Sequence, residues 1–248
     1  MKSVSLLIFM LLGFAATAQK TSGEISYERV KTWSRINNRM TFLSKEEKER
    51  AATTWANNDE QKQDFVLLFN EKQSYYSYPA KEDLSEGGYS WQKDEYKIYR
   101  DFEKEKRTDI IAMLGKTYIL EDSLKVPKWK VMNKIKEIAG YMCMMAVTED
   151  TTKGQKITAW FADNIPVSAG PELYSGLPGL ILELDINEGD VVITAKEVKM
   201  REVKDEEMAL PKKMKGKKLD TLKYEQLVAE HIRDSMKAHR NPYWSMPY

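Results

Sequence analysis

Two stretches of alternating apolar and polar residues, each interrupted by a glycine-containing turn, restrict this chain to a β-sheet fold. One stretch turns at residues 150–154 and the other at residues 187–190, and both patterns are typical of β-hairpins. Successive side chains of a strand point to opposite faces of the sheet. Leu180 and Leu184 therefore lie on one face, and Glu183 lies on the other. Hairpins that follow one another along the chain predict an antiparallel sheet.

The return strand of the second hairpin contains a break in its alternation. The apolar positions Val191, Ile193 and Ala195 give way to Val198 and Met200. A shift of one residue in an alternating pattern indicates a β-bulge, in which one extra residue is inserted into a strand. We therefore expect a bulge between Ala195 and Val198.

Helices are few in the predicted fold. Ser44 and Glu47 form a capping-box pattern at the start of a short helix that we expect to continue to Trp55. Asp220 is the predicted N-cap of a longer helix near the C-terminus, packed on the sheet by an apolar stripe. The stripe comprises Tyr224, Leu227, Val228, His231, Ile232, Ser235, Met236 and His239.

The first 18 residues predict export. They contain one lysine, an apolar run from Val4 to Phe14 and small residues at Ala16 and Ala18, the arrangement of a secretory signal peptide. The apolar run is too short to span a bilayer, so no transmembrane segment is expected after signal cleavage. The predicted organisation is a signal peptide (1–18), an antiparallel β domain (19–204), and a basic loop, helix and Pro/aromatic tail (205–248). The expected location is the periplasm or the outer-membrane-associated cell envelope.

The charge balance argues against nucleic acid as a partner. Without Lys2, the 39 Lys and Arg residues fall to 38, against 38 Asp and Glu, so the chain has no global positive field. The basic cluster from Lys212 to Lys218 is interpreted as a solvated loop. Cys143 is the single cysteine, which leaves no intramolecular disulfide to support the fold.

The sequence contains no pattern that predicts catalysis, a cofactor or a metal ion. His231 and His239 are the two histidines and lie two helical turns apart, without the spacing of a zinc site. Cys143 lies within an apolar strand, where a thiol is unreactive. No phosphate-binding glycine loop is present. We therefore expect a protein that is not an enzyme.

The stretch Gly170–Ile186, GPELYSGLPGLILELDI, predicts a rigid apolar corner. Pro178 and Gly179 suit the central positions of a type II turn, with Gly179 at positive φ, and Gly176 leaves room for a close backbone approach. Aromatic and apolar residues around such a corner also suit a protein interface. The candidate partner-binding residues are Gly170, Pro171, Tyr174, Gly176, Leu177, Pro178, Gly179 and Leu180.

These residues resemble the GLPGLI family of exported proteins, known mainly from Bacteroidota. The resemblance rests on Trp129, IAGYMCMMA at 138–146, AWFADNIPVSAGP at 159–171, Tyr174 and GLPGLI at 176–181. Met145 stands where the family pattern usually has a basic residue, which puts any contact made by that residue in doubt. The resemblance implies a curved antiparallel sheet or open half-barrel closed over by helices, similar in layout to periplasmic lipoprotein carriers.

Two functions remain open at this point. The first, which the resemblance favours, is binding to an envelope partner such as an outer-membrane TonB-dependent receptor-like protein. It requires Tyr174, Leu177 and Leu180 to be exposed as one patch. The alternative is carriage of a lipid or other apolar ligand in the hollow of the sheet, which requires a deep cavity.

Overall fold

The computed structural model describes residues 21–79 and 95–248, and 44% of its residues belong to the strands of one sheet. The predicted signal peptide, residues 1–18, lies outside the described residues. The strands are β1 (Gly23–Thr32), β2 (Glu60–Phe69), β3 (Gln73–Ser77), β4 (Tyr96–Asp101), β5 (Lys106–Met113), β6 (Lys116–Ser123), β7 (Lys130–Ile138), β8 (Tyr141–Asp150), β9 (Gln155–Ala162), β10 (Leu180–Ile186), β11 (Val191–Met200) and β12 (Lys217–Leu219). The helices are α1 (Trp33–Asn38), α2 (Lys45–Thr54) and α3 (Thr221–Lys237).

The strand order explains how the chain builds a single large, curved, unclosed sheet. The order is β12-β6-β5-β4-β3-β2-β1-β11-β10-β9-β8-β7. Strands β2 to β6 form one antiparallel meander and β7 to β11 a second, and β1 pairs with both β2 and β11. The prediction of a mainly β fold built from sequential hairpins is confirmed.

The sheet is mixed rather than wholly antiparallel. Residues 217–219 lie in the predicted basic loop, yet they form β12, which pairs in parallel with β6. Lys218 Nζ donates to Glu121 Oε2 of β6 at 2.7 Å, so this lysine has an acidic partner on the neighbouring strand. A strand of three residues rich in lysine lacks the β-branched alternation from which strands are recognised.

Several local predictions are confirmed in the structure. Ser44 and Glu47 form the capping box of α2, and the side chain of Asp220 caps α3. The pairing of β1 with β11 shifts register between Ser26 and Tyr27 and leaves Lys196 as the extra residue, which is the predicted bulge.

One face of the sheet, called here the inner face, carries the main core. On β1 this face presents Ile25, Tyr27, Arg29 and Lys31, all buried. Helix α3 adds side chains to the same core, and so does the tail (residues 241–248). These added side chains are Tyr224, Val228, Tyr243, Met246 and Tyr248. Among the helices of the described residues, none combines the length and apolar character that a bilayer span requires.

Candidate functional site

The GLPGLI corner is shaped by two glycines whose roles differ from the prediction. Gly176 has φ +91°, whereas Gly179 does not adopt a positive φ, so the expected type II turn with Gly179 at its third position is wrong. A Cβ on Gly179 would collide with the backbone carbonyl of Ala162. Gly176 therefore supplies the left-handed conformation, and Gly179 supplies the close backbone approach.

Hydrogen bonds fix this corner to the preceding loop and to the central strand. Leu180 N donates to Ile165 O at 3.1 Å, and Ile181 N donates to Ala169 O at 3.0 Å. The Tyr27 hydroxyl of β1 donates to Ile181 O at 2.5 Å. On the other side, Trp129 Nε1 donates to the backbone carbonyl of Ser175 at 2.9 Å. The corner is thus tied into the fold from both sides.

The predicted contact residues do not form an exposed apolar patch. Leu177 is 1% exposed and Leu180 is 0% exposed, because both side chains belong to the main core. Tyr174 is half-buried and packs edge-to-face with Trp129. Of the eight predicted residues, only Pro178 is exposed; Gly176 is half-buried, and Gly170, Pro171 and Gly179 are buried. The side chains of Leu177 and Leu180 stabilise the corner from within.

The same loop delivers a charged side chain to the inner face. Glu172 has φ +56°, an uncommon conformation for a residue with a side chain, and it is buried. Its Oε1 lies 3.2 Å from Arg29 Nε, an ion pair whose geometry does not make a hydrogen bond. Its Oε2 accepts a hydrogen bond from the Tyr96 hydroxyl of β4. Backbone strain at a buried carboxylate is typical of functional sites.

The inner face of β1 changes from apolar to basic along its length. Ile25 and Tyr27 are followed on the same face by Arg29 and Lys31, and these two basic residues are 6% and 7% exposed. Lys31 Nζ lies 4.7 Å from the centre of the Trp33 ring, within the range of a cation–π contact. Buried basic residues at adjacent inner positions of a central strand are uncommon in a core.

These residues open onto a cavity of about 760 Å³, called here the inner cavity. Its walls come from β1, β2, β4, β5, β6, the Glu172 loop and the tail. The lining residues are Arg29, Lys31, Trp33, Gln61, Gln63, Phe65, Tyr78, Glu95, Tyr96, Ala112, Met113, Leu114, Gly115, Lys116, Thr117, Glu172, Tyr243, Trp244, Ser245, Met246 and Pro247. A smaller cavity of about 360 Å³ adjoins it and shares Trp33 and Trp244 with it.

Burial changes the acid–base properties of several groups at this cavity. It lowers the pKa of Lys31 to about 7, with the Arg29 charge as a further cause. Burial, followed by the Glu172 charge, raises the pKa of Tyr96 well above its ordinary value. The pKa of Lys153 is also lowered by burial, and its ammonium donates to the backbone carbonyl of Tyr248 at 2.8 Å. Strongly shifted groups in a cavity mark a functional-site candidate.

The residues that the sequence singled out for other chemistry have structural roles. Cys143 is 0% exposed, and burial raises the pKa of its thiol to about 11, so the thiolate is disfavoured. His231 Nε2 lies 3.1 Å from Pro242 O, and the His239 ring stacks on Phe42. Within residues 21–79 and 95–248, no group of three or more His, Cys, Asp or Glu side chains is placed to hold a metal ion.

Sequence reasoning missed the charged residues of the inner cavity, although each leaves a signal. In GEISYERVKT the residues Arg29 and Lys31 continue the every-second-residue spacing of Ile25 and Tyr27. The alternation of a strand therefore places these basic residues on the buried face. Glu172 is the one charged residue between Gly170 and Ile181. What the sequence does not show is that Arg29 and Glu172 meet, because their pairing depends on the tertiary fold.

Comparison with known proteins supports the fold and leaves the activity open. A family model described as "Protein of unknown function (Porph_ging)" matches residues 147–183, which include β9 and the corner; the model does not carry the GLPGLI name. PNGF-II, solved in C2 and P21 space groups, aligns with 84% of this chain at 14% identity and a TM-score of 0.54 in each form. The chain spans 32% and 33% of those chains, and the likeness shows a shared fold alone. No curated protein sequence matches the chain.

Proposed function

We propose that this chain is an exported, non-catalytic cell-envelope protein that binds an amphipathic small molecule in the inner cavity. The observation that carries the proposal is a cavity of about 760 Å³ that combines buried charges with an aromatic wall. Its volume falls within the range of roughly 300–1,000 Å³ in which ligand pockets are found. The export part rests on the signal-peptide pattern of residues 1–18, and the envelope location on the resemblance of Gly176–Ile181 to the GLPGLI motif.

The polar character of the cavity argues for an amphipathic ligand rather than a wholly apolar one. Arg29, Lys31 and Glu172 line the cavity, and a hydrocarbon placed against them would remove their remaining solvation without replacing it. Trp33, whose ring lies beside Lys31 Nζ, and Trp244 line both this cavity and the smaller one. A molecule with one polar end and one aromatic or aliphatic end satisfies both surfaces.

These buried charges also lower the stability of the fold. Two basic residues and a carboxylate at strained φ occupy positions where apolar side chains would pack more favourably. The hydrogen bonds of the corner hold the Glu172 loop in place, so the GLPGLI corner acts on the cavity indirectly. In this proposal the corner is a support, and the binding surface lies on the inner face.

Ligand extraction from the native cell envelope tests this proposal. The side chain of Gln61 lies on the inner face of β2, opposite Lys31 of β1, and lines the cavity. A Gln61→Trp substitution places an indole ring at this rim. Lys62→Trp introduces the same ring on the opposite face of the strand and serves as the matched control.

Both variants and the wild-type protein are purified without detergent exchange, denatured, and their extracts compared by mass spectrometry. We expect a small molecule in near-equal amount to the protein from wild type and Lys62→Trp, and its loss from Gln61→Trp. A wild-type protein that releases no small molecule, or equal release from both variants, contradicts the proposal.

A second candidate function is docking to an envelope protein of the TonB-dependent receptor class, and a separate surface favours it. Strand β7 is at the end of the sheet, and the β7–β8 hairpin exposes Val131 (53%), Ile135 (68%) and Met142 (52%). Exposed apolar side chains beside a sheet edge suit a protein contact. Crosslinking in intact envelopes tests it: Ile135→Asp should abolish a crosslinked receptor that Lys134→Asp retains. Equal crosslinking by both variants contradicts docking at this edge.

A further inference from the structure

The Lys31 ammonium lines the inner cavity and lacks an acceptor among the described protein groups. The residue is 7% exposed, and no hydrogen bond or ion pair to its Nζ is formed within residues 21–79 and 95–248. Its Nζ lies 4.7 Å from the centre of the Trp33 ring. An aromatic face stabilises a cation but accepts no conventional hydrogen bond. The Nζ atom is not among the fully enclosed atoms without a partner, so its three donors are available to water or to a ligand group that enters the cavity.

The nearest carboxylate does not supply that acceptor. Glu172 Oε1 faces Arg29 Nε at 3.2 Å, and its Oε2 accepts from the Tyr96 hydroxyl. Both oxygens are therefore engaged by other groups, and Glu172 acts on Lys31 through its charge alone. Arg29 is held in the same arrangement, since its Nη1 also donates to Gln63 Oε1 at 3.3 Å. Glu172 fixes Arg29 and leaves Lys31 open.

The remaining charges around the cavity do not neutralise Lys31 either. Glu95 forms an ion pair with Lys97 at 3.3 Å. Lys153, whose charge also acts on Lys31, has Asp150 as its opposing charge and donates to main-chain oxygens of the tail. Lys116 lines the cavity and is exposed. At the β1 end, Arg29 and Lys31 thus face one carboxylate, which leaves an excess of one positive charge.

We propose that Lys31 receives a carboxylate group of the ligand, with Trp33 beside it as the start of the apolar wall. This inference rests on the proposed ligand-binding function and specifies its chemistry. One negative charge matches the excess of one positive charge. A doubly charged phosphate ester would exceed that excess and be repelled by Glu172 and Glu95. Arg29 is already paired with Glu172, so it can attract the carboxylate through its positive charge without changing its position.

Matched probes that differ only in charge test this inference. The probes are 2-naphthoate with its neutral isostere 2-naphthamide, octanoate with octanamide, and 2-naphthyl phosphate. Binding to the whole mature protein is measured by isothermal titration calorimetry at pH 6. The proteins are wild type, Lys31→Met, an unbranched side chain one atom shorter and without charge, and Lys31→Arg, which keeps the charge.

We expect wild type to prefer each carboxylate over its amide by about 10- to 100-fold, the range for a hydrogen bond to a charged group. Lys31→Met should lose that preference while it binds the amides as before, and Lys31→Arg should retain most of it. Tighter binding of the phosphate ester than of 2-naphthoate would overturn the assignment of a carboxylate.

The outcomes separate this inference from the proposed function. Equal binding of carboxylates and amides by wild type would refute the role of Lys31 and leave ligand binding in the cavity standing. Absence of binding by all five probes, together with no small molecule extracted from the native protein, would refute both. A carboxylate preference that persists in Lys31→Met would place the anion elsewhere and refute the inference alone.

Discussion

Replacing Lys31 with methionine should stabilise the protein, because it removes a charge that the fold buries at a cost. Burial lowers the pKa of Lys31 from 10.5 to about 7. At about 1.36 kcal/mol per pKa unit, the protonated side chain costs the folded state ~5 kcal/mol below pH 7. The contact with Trp33 is worth ~1 kcal/mol, and relaxation around a buried charge reduces the cost further. We therefore expect Lys31→Met to raise the free energy of unfolding by about 2–4 kcal/mol at pH 6.

The pH dependence of this gain follows from the direction of the pKa change. Between pH 7 and 10.5 the folded protein has lost the Lys31 proton, whereas the unfolded chain still binds it. The wild-type protein therefore becomes more stable, relative to the variant, as the pH rises through this window. The advantage of Lys31→Met should be smaller at pH 9 than at pH 6, by up to ~2 kcal/mol for the upper end of the expected gain.

Urea denaturation followed by tryptophan fluorescence at pH 6 and pH 9 measures both quantities. Lys199→Met is the matched control, because Lys199 is also a strand lysine but is exposed and has a surface ion pair with Glu197 at 3.0 Å. It should change stability by less than ~0.5 kcal/mol at either pH. A Lys31→Met protein that is less stable than wild type at pH 6, or a gain that does not change with pH, would refute this reasoning.

Three further predictions concern the architecture around the cavity. Asp109→Ala should destabilise the protein by about 3–5 kcal/mol in urea denaturation, because it leaves the buried Arg100 and the half-buried Arg107 without their shared carboxylate; a loss under ~1 kcal/mol would contradict this. Gly179→Ala should cost more than ~2 kcal/mol through collision with Ala162, whereas the exposed Pro178→Ala should cost less, and equal effects would count against the close-approach role. The Cys143 thiol should react with Ellman's reagent only after unfolding; fast native-state reaction would contradict its burial.

The hairpin architecture could be predicted because its determinants are local. Residue alternation and the positions of glycine predict the turns at 150–154 and 187–190 and the bulge at Lys196. The capping residues Ser44 and Asp220 act within one helical turn. Each of these features depends on residues that are close in the chain, so one sequence is enough to recognise them.

The features that escaped prediction depend on contacts between distant segments. The positive φ falls on Gly176 rather than on Gly179, although both glycines have close neighbours: Val126 at Gly176 and Ala162 at Gly179. Positive φ and close packing both select glycine, so the sequence does not distinguish them. The apolar residues of the corner indicate an exposed interface when only the sequence is considered, whereas the fold buries Leu177 and Leu180. The inner cavity forms where β1 contacts the Glu172 loop, and these two segments are too far apart in the chain for a local sequence pattern to predict their contact.

A crystal structure of the protein purified from its native envelope, without denaturation or added ligand, tests the central claim most directly. The account predicts continuous density for a small molecule in the inner cavity, with an acidic group at Lys31 Nζ and its apolar part along Trp33 and Trp244. A cavity that contains only water, with the Lys31 ammonium hydrogen-bonded to protein groups, would contradict the account.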